Sequence, residues 1–315
     1  MTAAPLRLGT RRSALALRQS QLVAEALTVA TDRAVELVEI VTAGDTATGS
    51  LATLGGTGVF ASALRDALLA GDVDLAVHSL KDLPTRPCDG LVLAAVPPRD
   101  DPRDVLVARD GLALAELPAG SRIGTGSPRR AAMLRALGFG LEIVDIRGNV
   151  DTRLGLVADG TVDAVVLARA GLSRLGRLDA VTETLDPAQM LPAPGQGALA
   201  VEARADAVDT LELLRVLDDA PTRACVTAER AVLAALEAGC SAPVGAYAVH
   251  PHPADLEDGE VPELYLRAAV VAVDGSEQVR QSATGAAHDA EQIGRALAAE
   301  LLAAGAPGLL GERIP

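Results

Sequence analysis

The sequence predicts an α/β protein of two similar lobes with parallel-rich sheets, followed by a small C-terminal α+β domain. Three observations carry that expectation. Apolar runs of strand length alternate with stretches of helical period, the rhythm of βαβ units. The segments AGDVDLAVHSLKDL and DGTVDAVVLARAGL both set Gly-x-Val-Asp before an apolar strand with a polar exit, so the pattern occurs twice. Pro and Gly then concentrate at PPRDDPRD (Pro97–Asp104) and LPAPGQGAL (Leu191–Leu199), where crossovers between lobes are expected.

In chain order, Leu6–Leu8 reads as a strand and SALALRQSQLVAEAL as a helix with Ser13 as its N-cap. Val35–Val41 reads as a strand, and Phe60–Gly71 as a helix closed by glycine. The buried run Val73–Val77 and then GLVLAAV complete the first lobe's strands. The rhythm restarts with DVLVA (Asp104–Ala108), SPRRAAMLRAL, LEIVDI and TVDAVVLARAGL, and the chain returns to the first lobe over Ala198–Leu217. The long helix PTRACVTAERAVLAALEAG opens the third part, with Pro221 near its start and Gly239 at its end. Strands at Val244–Val249 and Leu264–Val273 and a helix over Ala287–Ala304 follow. The expected division is 1–98 with 198–217 as domain 1, 103–192 as domain 2 and 220–315 as domain 3. Between Ala43 and Gly58 a Gly- and Thr-rich stretch without apolar periodicity reads as a lid or a plain surface loop.

The bulk numbers bound the function. A chain of 315 residues and 32.1 kDa buries about 75% of its extended surface, so its core needs no disulfide or metal. Net charge is −14, which argues against a nucleic-acid partner, and two Phe, two Tyr and no Trp leave hardly any stacking platform for bases. Arg103–Arg177 nevertheless holds eleven Arg against six Asp and two Glu, a net +3 that leaves −17 for the rest. A basic region inside an acidic chain suits a small anionic ligand. Three cysteines without a CxxC pair fit a reducing compartment. The N-terminus does not read as a secretory signal, and no apolar stretch reaches the length of a membrane span, so the expectation is cytoplasmic, without a membrane. His250 and His252 read as a Pro-rich turn rather than a metal site.

One lysine, Lys81, occurs among twenty-seven arginines, next to Asp82 at the exit of an apolar strand. Lysine is a compact point charge where arginine is a planar fork, so the exception points to a tight site, although compositional accident is the alternative. Strand C-termini are where open α/β sheets bind ligands. In GTGSPRRAAML, Ser127 fits an N-cap and Pro128 the first helical position, so Arg129 and Arg130 oppose the helix dipole. That conflict, with exposed backbone N–H groups, fits a carboxylate or phosphate site; a solvated pair of arginines is the other reading. DIRGNVDTRL adds Arg147 and Arg153, RAGLSRLGR adds Arg169, Arg174 and Arg177, and GTRRSALALRQ adds Arg11 and Ser13. A ligand with several acidic groups is implied, and the lack of GxxxxGK[ST] and GxGxxG makes nucleotide the weaker candidate. Read on its own, Cys240 in LEAGCSAPVG is a packing residue near a helix end, Cys225 is core, and Cys88 lies in a turn.

Ten segments in order resemble the porphobilinogen deaminase (hydroxymethylbilane synthase) family: LGTRRSALAL, TAGD, GGTGVFASAL, DLAVHSLKDLP, RDDPRD, GTGSPRRAAML, IRGNVDTRL, LARAGLSRLG, LPAPGQGALAVE and EAGCSAPVGAYA. The resemblance implies two lobes like type-II periplasmic solute-binding proteins and a catalytic cleft between them. It also implies a dipyrromethane cofactor on Cys240 through a thioether, against the packing reading of that residue. Four porphobilinogen molecules would be joined head to tail onto this primer, with loss of ammonia, and water would release hydroxymethylbilane for tetrapyrrole synthesis. Asp82 would be the catalytic carboxylate. Lys81, Ser79, Thr125, Ser127, Arg129, Arg130 and Gly148 would hold the cofactor; Arg11, Ser13, Gln19, Phe60, Arg147, Arg153, Arg174 and Gln196 would hold substrate. The family suggests a monomer. Thr57 departs from the lysine many members carry in this loop, which alters the lid's charge. A non-catalytic two-lobed module closing on a dicarboxylate would need the arginines but neither Asp82 nor Cys240.

Overall fold

The computed structural model describes residues 4–40, 58–238, 242–251 and 261–310. The chain begins with β1 (Leu6–Thr10), α1 (Ala14–Thr31), β2 (Val35–Glu39), α2 (Gly58–Ala70), β3 (Leu75–Ser79) and β4 (Leu91–Ala95). It continues with β5 (Asp104–Ala108), β6 (Arg122–Gly124), α3 (Pro128–Ala136), β7 (Glu142–Val144), α4 (Val150–Ala158), β8 (Ala164–Ala168), α5 (Arg169–Arg174) and β9 (Glu183–Thr184). Then come β10 (Leu199–Arg204), α6 (Val208–Leu214), α7 (Ala220–Ala235), β11 (Val244–Val249), β12 (Glu263–Val271), β13 (Gln278–Ala286), α8 (Ala290–Ala303) and α9 (Ala306–Leu309). Two compact units result, Met1–Asp100 with Gly197–Arg223, and Asp101–Gln196 with Ala224–Pro315.

The first unit holds one five-stranded sheet in the order β2-β1-β3-β10-β4. β1 is parallel to β2 and β3, and β10 is antiparallel to β3 and β4. The sheet is therefore mixed, because the strand returning from later in the chain enters against its neighbours. Leu8, Leu27 and Leu75 are fully buried in its core, each worth about 1.5–3 kcal/mol of transfer free energy. α1 starts where its sequence says it should, with Ser13 Oγ accepting from Ala16 N at 3.3 Å. Gly71, at φ +76°, follows the last turn of α2, the left-handed stop that glycine supplies without a Cβ penalty.

The second unit holds two sheets. Its five-stranded sheet runs β7-β6-β8-β5-β9, with β6 parallel to β7 and β8, and β5 antiparallel to β8 and β9. β3 and β8, the strands of the repeated Gly-x-Val-Asp pattern, occupy the same place in the two strand orders. The three strands β11-β12-β13 form an antiparallel sheet, and α7 and α8 share a core with it through Val232, Leu266, Leu297 and Leu301. Ala269 and Val271 of β12 join the core formed by Leu106, Met133 and Leu191, so this sheet packs into the same unit. Gly245 marks how close that approach is: a Cβ there would meet Met133 Cε at 2.7 Å and Leu191 Cβ at 2.8 Å. Glu229 of α7, fully buried, accepts from Gly195 N at 2.7 Å and Ala248 N at 2.8 Å, and so fixes the segment after Leu191 to β11.

The α/β class and the small antiparallel third sheet agree with the sequence reading. β6 and β13 were not expected. β6 is three residues long, and β13, QVRQSATGA, has no buried residue to give it an apolar rhythm. Among the described residues no helix is long and apolar enough to cross a membrane.

Candidate functional site

In the first unit the site grows from the end of β3. Val77 and His78 are buried, Ser79 is half-buried, and a 3₁₀ turn follows over Leu80–Asp82. Leu80, fully buried, anchors the turn; its N–H donates to Ala198 O at 3.0 Å, and Leu83 N closes it on Leu80 O at 3.1 Å. Lys81 and Asp82 are left half-buried at the strand exit. Gln19, 4% exposed, donates through Nε2 to Ser79 Oγ at 2.9 Å and so ties α1 to the same exit. A small cavity of about 40 Å³ is lined by Arg11, Gln19, His78, Ser79 and Asp82, so a guanidinium and a carboxylate border one space.

Beneath this exit lies a network that the sequence reading missed. Glu202 of β10, 4% exposed, takes Arg65 Nε on Oε2 at 3.0 Å and Nη2 on Oε1 at 2.8 Å, a bidentate pair, and His78 Nε2 lies 3.2 Å from the same Oε2. Burial alone would push the carboxyl up; the proximity of His78 and the hydrogen bonds from Arg65 outweigh it and hold Glu202 at about 2. A glutamate at the inward-facing centre of an apolar strand, LAVEAR, was the available signal, since such a charge needs a partner.

In the second unit, Ser127 caps α3, its Oγ accepting from Arg130 N at 3.5 Å, and Pro128 takes the first helical position. Thr125, 3% exposed, accepts from Ser127 N at 3.2 Å and fixes the approach. Arg129 and Arg130 are not solvated. Both are about 95% buried, and both bind Asp104: Arg129 Nη2 to Oδ2 and Arg130 Nη2 to Oδ1, each at 2.8 Å. Arg129 also donates to Leu191 O, and Arg130 to Val166 O at 3.1 Å. Gln196 joins the cluster, donating from Nε2 to Asp104 Oδ1 at 2.8 Å and to Pro102 O at 2.6 Å. Burial would raise the Asp104 carboxyl, but Arg129 and then Arg130 overcome this and hold it well below the usual carboxylate range. The two arginines thus have an internal carboxylate, and sequence reasoning missed Asp104, the acid that opens the wholly buried strand DVLVA.

A second arginine group stands at the turn after β7. Gly148, at φ +107°, makes the turn, where a Cβ would also meet Thr152 at 2.7 Å. Asn149 caps α4 by accepting from Thr152 N at 2.9 Å, which brings Arg153 round to donate to Gly148 O at 2.9 Å. Burial, and after it the charges of Arg130 and Arg147, hold the Arg153 guanidinium below its usual range. Arg147 itself is exposed and reaches Asp145 at 3.2 Å. Arg174, half-buried, ends α5 after β8. Guanidiniums that crowd each other in this way favour added negative charge, and carboxylates match their fork geometry.

The structure thus brings Arg11, Gln19, Ser79 and Asp82 together in one unit, and Arg129, Arg130 and Gln196 together in the other. Cys240, Thr57, His252 and the Phe60 side chain lie outside the described residues. Among the described residues no group of His, Cys, Asp and Glu could hold a metal ion.

Two family models match in succession: porphobilinogen deaminase, dipyromethane cofactor binding domain, over residues 6–212, and porphobilinogen deaminase, C-terminal domain, over residues 223–303. Porphobilinogen deaminase of Nocardia farcinica is 58% identical over 311 residues, 99% of this chain and 89% of that protein. Porphobilinogen deaminase 1 of Streptomyces coelicolor is 58% identical over 322 residues, 99% of each. Porphobilinogen deaminase of Mycobacterium tuberculosis is 58% identical over 306 residues, 97% of this chain and 98% of that one. Among solved structures, the methionine binding protein MetQ aligns with a TM-score of 0.42 at 14% identity, covering 67% of this chain and 89% of its own, a likeness too slight to bear on function. With both models and relatives of this identity spanning nearly its whole length, the chain belongs to the porphobilinogen deaminase family.

Proposed function

We propose that this chain is a porphobilinogen deaminase that joins four porphobilinogen molecules head to tail on a dipyrromethane primer held by Cys240, releasing ammonia and then hydroxymethylbilane. The full-length family match carries the reading, and the arginine group around Arg153 supports it. Porphobilinogen and its oligomers bear an acetate and a propionate on every ring, so a growing chain brings many carboxylates to a region that is short of them. By its donor set this region fits the cofactor, whose own acid arms need the same partners. When bound, the dipyrromethane supplies a pyrrole carbon as the point of extension.

Asp82 acts as the catalytic carboxylate. Loss of ammonia would leave a cation on the substrate, and joining the next ring would release a proton. A carboxylate fixed by a short turn would stabilise that cation without reorganising, and it could take the proton and pass it on. Lys81, Ser79, Thr125, Ser127, Arg129, Arg130 and Gly148 form the cofactor side. Arg129 and Arg130 do so through a scaffold already ordered on Asp104. Arg11, Ser13, Gln19, Phe60, Arg147, Arg153, Arg174 and Gln196 serve the substrate. Three domains, a monomeric state and a cytoplasmic location complete the reading, supported by the three sheets and by cysteines that form no motif.

The test is the intact mass of the protein made in a host that synthesises porphobilinogen. The chain is expected to exceed its sequence mass by one dipyrromethane and to colour with Ehrlich's reagent, and Cys240→Ser should lose both the increment and activity. An unmodified mass with tight dicarboxylate binding would instead indicate a binding module.

A further inference from the structure

A second cluster of positive charge lies in the C-terminal sheet, on residues that the proposed reaction does not use. Arg267 of β12 has its guanidinium carbon 5.5 Å from the ring centre of Tyr247 and 5.7 Å from that of Tyr265. The two rings hold it in place and desolvate it. Its Nε is buried and without a hydrogen-bond partner. Arg280, on the neighbouring strand β13, donates to Gln278 Oε1 at 2.9 Å and to Ala188 O at 2.6 Å. These are neutral acceptors. No ion pair of either arginine with a carboxylate exists among the described residues. Burial and then the charge of Arg267 hold the Arg280 guanidinium below its usual range, so the two cations feel one another.

Both arginines line a cavity of about 260 Å³, with Ser282 as a further polar group and Leu191 and the Tyr265 ring as apolar wall. An engineered cavity of about 150 Å³ holds benzene, so this one has room for more than an inorganic ion. In a chain of net charge −14, two neighbouring guanidiniums beside such a space, without an acid, are a conspicuous exception. We propose that this cavity is a second anion site, which takes a small dicarboxylate with one carboxylate on Arg267 and the other on Arg280. The apolar wall accommodates the carbon chain, and Ser282 supplies a further hydrogen bond.

The chain provides its own reporter. It has two tyrosines and no tryptophan, and both tyrosines flank Arg267, so intrinsic tyrosine emission reads this site and no other. Succinate titrated into the holoenzyme should change that emission saturably. Acetate should bind at least tenfold more weakly, because it can engage one arginine at a time. Arg267→Gln and Arg280→Gln should each weaken succinate about tenfold to a hundredfold, the equivalent of one charge-assisted hydrogen-bonded contact. Arg280→Lys should restore part of the loss, and all three variants should turn over porphobilinogen like wild type. The proposal is overturned if succinate gives no saturable change, if acetate binds equally well, or if folded Gln variants, checked by circular dichroism, bind succinate unchanged. Loss of turnover in a folded variant would also overturn it, by placing the residue in the reaction itself.

Discussion

Sheet β2-β1-β3-β10-β4 and sheet β7-β6-β8-β5-β9 place their antiparallel strand at the same position, and in both that strand carries a buried carboxylate held by arginine from a helix. The difference is how deep the acid sits. Glu202 pairs in register with Ala76, three residues before β3 ends at Ser79. Its lock on Arg65 and His78 therefore underlies the exit and leaves Asp82 half-buried above it. Asp104 pairs with Ala168, the last residue of β8, so its lock lies at the exit itself and takes in the very arginines that open α3. One topology thus presents an acid in the first lobe and ordered guanidiniums in the second. Where the buried acid falls along the antiparallel strand decides which.

The largest effect is expected from Asp104→Ala. It leaves two buried guanidiniums without their acid and should cost about 3–5 kcal/mol, read from denaturant unfolding. A loss below about 1 kcal/mol would show that the pair is not a lock. Arg65→Met leaves Glu202 with His78 alone and should cost somewhat less, about 2–3 kcal/mol, because a partner remains. The Glu202 lock is also sensitive to acid. Glu202 has its folded value depressed to about 2, so its contribution is fully present above the ordinary glutamate value and is lost as pH falls through about 2. The stability gap between wild type and Glu202→Gln, on the order of 2–3 kcal/mol at neutral pH, should narrow as the medium is acidified below about pH 4. A gap independent of pH would refute the assignment. Smallest is Ser127→Ala, which removes the cap of α3 and should cost about 1 kcal/mol while slackening the Arg130 geometry; thermal unfolding alongside cofactor loading reads both.

Much of this architecture was legible in the sequence, for identifiable reasons. DVLVA and Val244–Val249 are strands over the expected residues, since apolar runs bounded by turn residues have little alternative. Ser13, Ser127 and Gly71 did what capping chemistry requires. That Ser79, Lys81 and Asp82 follow a strand end was legible because polar groups there break an apolar run. What escaped was long-range. Asp104 and Glu202 read as ordinary acids, and only the fold brings their partners from 25 and 137 residues away. For the same reason Arg129 and Arg130 read as a solvated or ligand-facing pair rather than as two arms of a buried lock. β13 escaped because its inward face, Val279, Gln281, Ala283 and Gly285, is too weakly apolar to announce a strand, and its pairing with β12 is a matter of backbone register.

In the proposed reaction a carboxylate at the exit of β3 does the chemistry while the arginines only hold. Single-turnover kinetics of Asp82→Glu, with intact mass measured on the same sample, separate these roles. One added methylene keeps the charge but moves it, and a misplacement of this size costs about a hundredfold in rate. The expected result is a normal dipyrromethane increment with turnover reduced about a hundredfold or more. A fully loaded Asp82→Glu protein with wild-type turnover would contradict the claim.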